Sequence, residues 1–207
     1  MNLSLKSPCE SFVSVSTCVK EKHKSLNLKP VHKSNRYFIH EIYFGSGIIG
    51  AMNINIIAVG KIREQYIKSG IEEFLKRCRP YSSVKITEIE AELVKNDSQI
   101  KKSISVEGEK ILNNLADNAY IIVMDIPGKQ FCSEEFASKI QDINIQGVNQ
   151  IIFIIGGAFG LDQKVKEKAD LFLSLSKMTL PHQLARLFLL EQIYRAFKII
   201  NNEPYHK

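Results

Sequence analysis

Gln150-Ile151-Ile152-Phe153-Ile154-Ile155-Gly156-Gly157-Ala158-Phe159-Gly160-Leu161 is the stretch on which the fold turns. Ile151–Ile155 is continuously apolar and mostly β-branched, the pattern of a strand buried on both faces of a parallel sheet. The run stops at Gly156, Gly157 and Gly160, which allow φ > 0 and close approach of another molecule to the main chain. In open α/β sheets, ligands bind beyond the carboxyl ends of the strands. The loop is therefore either a ligand-facing wall or a plain strand-to-helix turn. Its spacing is not Gly-x-Gly-x-x-Gly, and no Gly-Lys-Ser/Thr follows, so neither a dinucleotide fingerprint nor a P-loop is present.

Working outward, strand and helix patterns alternate from Met52 onward. Asn53–Val59 reads as a first strand. Arg63–Arg79 reads as an amphipathic helix with Ile67, Ile71, Phe74, Leu75 and Cys78 on one face, ended by Pro80. Val84–Ile89 alternates as a second strand, and Ser98–Leu115 has helical spacing. Its charged approach, Glu90–Lys102, is expected to be exposed. Ala119–Ile126 is a third strand, closed by a Pro127-Gly128 turn. Ser133 is placed to cap a helix carrying Glu134 and Glu135 in its first turn and Phe136, Ala137 and Ile140 inside. After Gln150–Ile155 come a short polar helix, Asp162–Ala169, and a fifth strand, Leu171–Leu175. Pro181 opens the last helix, which runs to about Ile200. This order predicts an α/β fold with a five-stranded, mainly parallel sheet.

Residues 1–51 differ in character from residues 52–207. They are rich in Ser and Lys and carry no sustained period. Seven Lys/Arg against three Glu give this segment +4, leaving only +2 for the remainder of a chain of net charge +6. The segment is read as a poorly structured N-terminal extension: a mis-assigned start ahead of Met52, a disordered tail or a targeting peptide, although transit peptides favour Arg and only Arg36 is present. The body is too mildly basic for charge alone to signal a nucleic-acid partner. The four cysteines form no Cys-x-x-Cys pair, so no metal site is expected. No window is long and apolar enough for a membrane span, and no signal peptide is evident.

The chemistry-bearing residues gather near the end of the chain. The loop Leu175-Ser176-Lys177-Met178-Thr179-Leu180 again leaves a strand at its carboxyl end, and His182 opens the helix behind it. The helix dipole there favours a neutral imidazole, although a solvent-facing cap residue fits the same position. Arg186, Tyr194, Arg195 and Lys198 are the polar residues of the last helix. Arg195 and Lys198 share a face, as a phosphate clamp or simply a solvated surface. That helix is apolar almost all round, which implies burial against a second copy of the chain. Tyr205, His206 and Lys207 at the terminus combine a stacking ring, a titratable donor and a cation, suitable parts for gripping an unpaired base.

Four segments in order, Ile154–Leu161, Leu173–Gln183, Glu191–Lys198 and Tyr205–Lys207, with the opening strand from Asn53, resemble the large-subunit ribosomal RNA pseudouridine N3-methyltransferases of the SPOUT class (the RlmH family). The resemblance spans Met52–Lys207. It implies a C-terminal trefoil knot, a cytoplasmic homodimer, and methyl transfer from S-adenosylmethionine to a pseudouridine of 23S ribosomal RNA, on assembled ribosomes. By the same resemblance, Met124, Gly156 and Leu175 through Leu180 hold the cofactor. Met124 stands where relatives carry Leu, and Ala158-Phe159 departs from the usual loop. His182, Tyr194, Arg195 and His206 then become the catalytic candidates. Arg186, Arg195, Lys198, Tyr205, His206 and Lys207 become the RNA contacts. Two rival classes stand beside this reading: a Rossmann-type nucleotide-binding enzyme and a non-catalytic ribosome-binding module. The first lacks its fingerprint after the opening strand, and cofactor binding separates the second.

Overall fold

The Ile151–Ile155 run lies at the centre of the main sheet. The computed structural model describes residues 43–44, 47–48 and 52–205, so most of the N-terminal extension, and His206 and Lys207, lie outside the described residues. Tyr43–Phe44 (β1) and Gly47–Ile48 (β2) form a small antiparallel pair. The main sheet holds Met52–Val59 (β3), Ser82–Ile89 (β4), Tyr120–Lys129 (β5), Gln150–Ile155 (β6) and Leu171–Leu173 (β7). Its order is β4-β3-β6-β5-β7 and every pairing is parallel. The helices are Gln65–Cys78 (α1), Ile100–Leu112 (α2, entered through a 3-10 turn), Ser133–Ile145 (α3), Gln163–Lys166 (α4) and His182–Ile200 (α5).

The continuous apolar run is explained by layers on both faces. Ile151, Phe153 and Ile155 join the core under α1, α3 and α5, while Ile152 and Ile154 face the smaller core under α2 and α4. All five side chains are at most 3% exposed. Full burial of such side chains stabilises by roughly 1.5–3 kcal/mol each, which fixes β6 as the central strand. Helix α5 packs against both α1 and α3, with Leu189, Leu190, Ile193, Ala196 and Phe197 in the core.

Several expected boundaries shift for physical reasons. Pro127-Gly128 does not close the third strand. Strand β5 continues to Lys129 through an irregularity in which Met124 and Lys129 both pair with Leu173. Beyond Met124 the neighbouring β6 has ended, so Pro127 removes no ladder bond on that side. A Cβ on Gly128 would lie 2.7 Å from the Leu173 backbone, so only glycine permits this approach. The cap of α3 is Cys132 rather than Ser133: the Glu135 carboxylate accepts the Cys132 N–H at 2.9 Å, the spacing of a capping box. The fifth strand ends at Leu173, and Ser174–Leu175 belong to the following loop. Helix α2 stops at Leu112 rather than Leu115, and α4 at Lys166. Pro181 precedes the first residue of α5 instead of occupying it.

Candidate active site

Beyond the carboxyl ends of β5, β6 and β7 lies a cleft of about 300 Å³, at the lower end of the usual range for small-molecule sites. Met124 and Ile155 end two of its strands, Gly156–Ala158 and Gly160–Leu161 form one wall, and Ser174–Ser176 and Met178–Leu180 form the other. Seven of the eight residues expected at the cofactor therefore line one cavity. Lys177 is exposed and does not line it. The β5 irregularity adds Asp125 and Ile126, which sequence reading missed because a Pro-Gly pair masked the continuing strand. Asp125 and Lys166, both at the cleft, form an ion pair at 2.9 Å.

The glycine wall works differently from the expectation. Among its three glycines only Gly160 has positive φ, at 93°. Gly156 is needed for close packing: a Cβ there would lie 2.8 Å from Leu161 Cγ and 3.1 Å from the Gly160 carbonyl. At Gly157 it would meet a Glu107 carboxylate oxygen at 2.9 Å. Glu107 is buried on α2 and accepts the Glu92 N–H at 2.9 Å. On the opposite wall, Ser174 Oγ donates to the Ser176 carbonyl at 3.0 Å, and Ser176 Oγ accepts the Met178 N–H at 3.0 Å. Local hydroxyl bonds thus fix the curve of the loop. The fit to an organic, partly polar ligand is good: apolar ends from Met124, Ile155 and Leu180, backbone from the glycine wall, and a few hydroxyls.

The start of α5 forms the third side. His182 lines the cleft. His182 is exposed overall, and partial desolvation of its ring at the cleft lowers its pKa first, followed by the Arg186 cation one turn on, with Glu107 opposing. Gln183 Oε1 accepts the Arg63 N–H at 2.9 Å, tying α5 to the approach to α1. Arg186, expected at an RNA surface, is instead 1% exposed. Its guanidinium donates to the carbonyls of Val59 (2.6 Å) and Gly60 (2.8 Å) and to Glu88 at 3.3 Å. It is a brace between α5 and the end of β3, and its cation is withheld from any nucleic acid.

The other expected base-handling residues form a second cluster. Arg195 pairs with Glu191, and Lys198 with Glu203. Tyr205 donates to Glu191 at 2.7 Å, packs edge-on to Tyr194 at 5.4 Å, and lies 4.2 Å from the Arg195 guanidinium. Burial and the Glu191 bond raise the Tyr205 pKa. Tyr81 donates to Glu203 at 2.7 Å. The tail is therefore docked on its own α5. Thirteen residues separate His182 from Arg195, about 20 Å along a helix, so one chain does not bring this cluster to the cleft. Among the described residues no group of three or more His, Cys, Asp or Glu is arranged to hold a metal. Nor is any helix among them long and apolar enough to cross a membrane.

A parallel sheet with a cleft walled by the loops after β5, β6 and β7 is an α/β ligand-binding architecture, and comparison with known proteins places it among the methyltransferases. The profile of the family described as "Predicted SPOUT methyltransferase" matches residues 52–206, and the chain belongs to that family. It is 53% identical over 159 residues to the ribosomal RNA large subunit methyltransferase H of Halothermothrix orenii, covering 75% of this chain and 100% of that one. It is 48% identical to the proteins of the same name from Natranaerobius thermophilus and Carboxydothermus hydrogenoformans, covering 75% of this chain and 99% and 100% of theirs.

Proposed function

We propose that the chain transfers a methyl group from S-adenosylmethionine to N3 of a pseudouridine in a stem-loop of 23S ribosomal RNA. In this reading it acts in the cytoplasm, as a homodimer, on assembled ribosomes. The observation that carries the proposal is the single cleft that gathers Met124, Gly156, Leu175, Ser176 and Met178–Leu180 beside His182. Large-subunit methyltransferase H relatives matched over essentially their whole length support the RNA substrate.

The bound cofactor supplies a methyl group already activated on a sulfonium. The chain must orient the acceptor and take its proton. Met124, Gly156, Leu175, Ser176 and Met178–Leu180 would hold that donor, and the acceptor N3 would have to lose its proton for the methyl to be transferred. His182 stands at the cleft, and its lowered pKa keeps the imidazole neutral and able to accept that proton near pH 7. Fixing the base against the methyl supplies several kcal/mol of the catalysis.

Exposed apolar residues on α5 support the homodimer of this reading. Leu184 is 38% and Phe188 45% exposed on α5, and Phe188 borders a groove with Phe131 and Leu175 just behind the cofactor loop. A second copy would cover this face. Its tail would then supply Tyr205, His206 and Lys207, while Tyr194 and Arg195 anchor Tyr205, which within one chain lies remote from the cleft. The trefoil knot belongs to this reading and is tested by tracing the chain in an experimental structure.

Mass analysis of large-subunit RNA from cells lacking the gene should show one pseudouridine without its methyl. Deleting Tyr205–Lys207 should abolish methylation while S-adenosylmethionine still binds. Wild-type turnover by that truncation would remove the tail from the mechanism.

A further inference from the structure

Every cation of α5 expected to meet RNA is committed within the chain. Arg186 is buried on carbonyls, Arg195 holds Glu191, and Lys198 holds Glu203. Phosphates of a bound stem-loop must find their counter-charges elsewhere near the cleft.

The connection from β3 to α1, residues 60–64, has the required features. It leaves β3 next to the glycine wall, since a Cβ on Gly157 would lie 3.1 Å from a Val59 methyl. Its backbone is gripped along its length by side chains from elsewhere. Arg186 holds the Gly60 carbonyl, Glu88 accepts the Ile62 N–H at 3.1 Å, and Gln183 accepts the N–H groups of Arg63 at 2.9 Å and Glu64 at 3.5 Å. Two of the three gripping residues, Gln183 and Arg186, follow His182 in the first turn and a half of α5. The side chains of Lys61 and Arg63 are exposed, and neither is in an ion pair among the described residues. The main chain is thus held at four points by side chains distant in sequence, one part-buried and three exposed, while its two cations stand free among the described residues. Holding the backbone in advance reduces the ordering cost of a phosphate contact.

We propose that this loop is a phosphate-contacting platform for the RNA substrate, with Lys61 and Arg63 binding the backbone of the stem-loop whose base enters the cleft. The proposal rests on the methyltransferase reading given above. It assigns these cations to positioning, since phosphate contacts fix register and carry no sequence information.

The test uses full-length enzyme and ribosomes lacking the methyl group, with kcat/KM measured across a salt series. Each phosphate contact contributes about 0.7–0.9 to the slope of log kcat/KM against log salt. The Lys61→Ala/Arg63→Ala variant should therefore show a raised KM for ribosomes and a slope less negative by about 1.4–1.8. Its S-adenosylmethionine affinity by calorimetry should match the wild type, and Lys61→Arg/Arg63→Lys should restore the slope. An unchanged slope and KM would overturn the proposal. So would an equal loss of cofactor affinity, which would make the loop a brace for the fold. Wild-type enzyme inactive on these ribosomes would instead defeat the methyltransferase reading itself, and the platform with it.

Discussion

Replacing Arg186 with Met tests the most consequential contact in the structure. The guanidinium is 1% exposed and satisfies the Val59 and Gly60 carbonyls. Met fills much of the aliphatic volume but donates nothing. Two buried acceptors then lose their donor, each costing about 1–3 kcal/mol. The offset is real: Arg186 Nε has no partner, and desolvation already depresses the Arg186 pKa. Removing that buried charge returns part of the cost. The Glu88 pair counts for little, because the Glu88 side chain is 36% exposed and solvent screens it. The net expectation is a loss of roughly 2–4 kcal/mol, the cost of two unsatisfied buried carbonyls less the desolvation returned. Urea unfolding with unchanged m-value measures it. A loss below about 0.5 kcal/mol, the scale of a neutral surface change, would refute the brace.

Two further predictions concern the cleft. Gly128→Ala forces a Cβ to within 2.8 Å of the Leu173 and Phe172 backbones. Separating β5 from β7 should cost about 1–3 kcal/mol and weaken S-adenosylmethionine binding; calorimetry showing unaltered affinity would mean the β5 irregularity does not shape the site. For His182 the folded pKa is depressed, so the unfolded chain binds the proton more readily. Its contribution to stability is present above the ordinary value near 6.5 and is lost as pH falls from there through the folded pKa. An imidazole titration followed by NMR should place the midpoint below 6.5, and a midpoint at or above that value would contradict the proposed neutral ring.

The legible and illegible parts divide along a physical line. Strand β6 could be read directly because burial on both faces leaves a local mark: five apolar residues in succession. The cofactor loop was legible through its position after the last strand and through the resemblance of its residues to known relatives. Pro127-Gly128 misled, because local turn chemistry is the same whether a chain reverses or runs on past a strand that has ended. The capping of α3 was off by one because Ser133 is the better cap by type, whereas Glu135 selects Cys132 by spacing.

The sequence by itself determined the alternation of strands and helices, the central position of Ile151–Ile155 and, through the resemblance of its motifs to known relatives, the two loops that wall the cleft. These are properties of short segments, encoded in hydrophobic period, turn residues and motif order. Only the tertiary structure decided which cations are free. Arg186, Arg195 and Lys198 look alike on a helical projection. Carbonyls more than a hundred residues away take the first, and carboxylates four and five residues away take the others. Whether a charge faces solvent or a buried partner depends on which segments the fold brings beside it, and a linear pattern does not contain that.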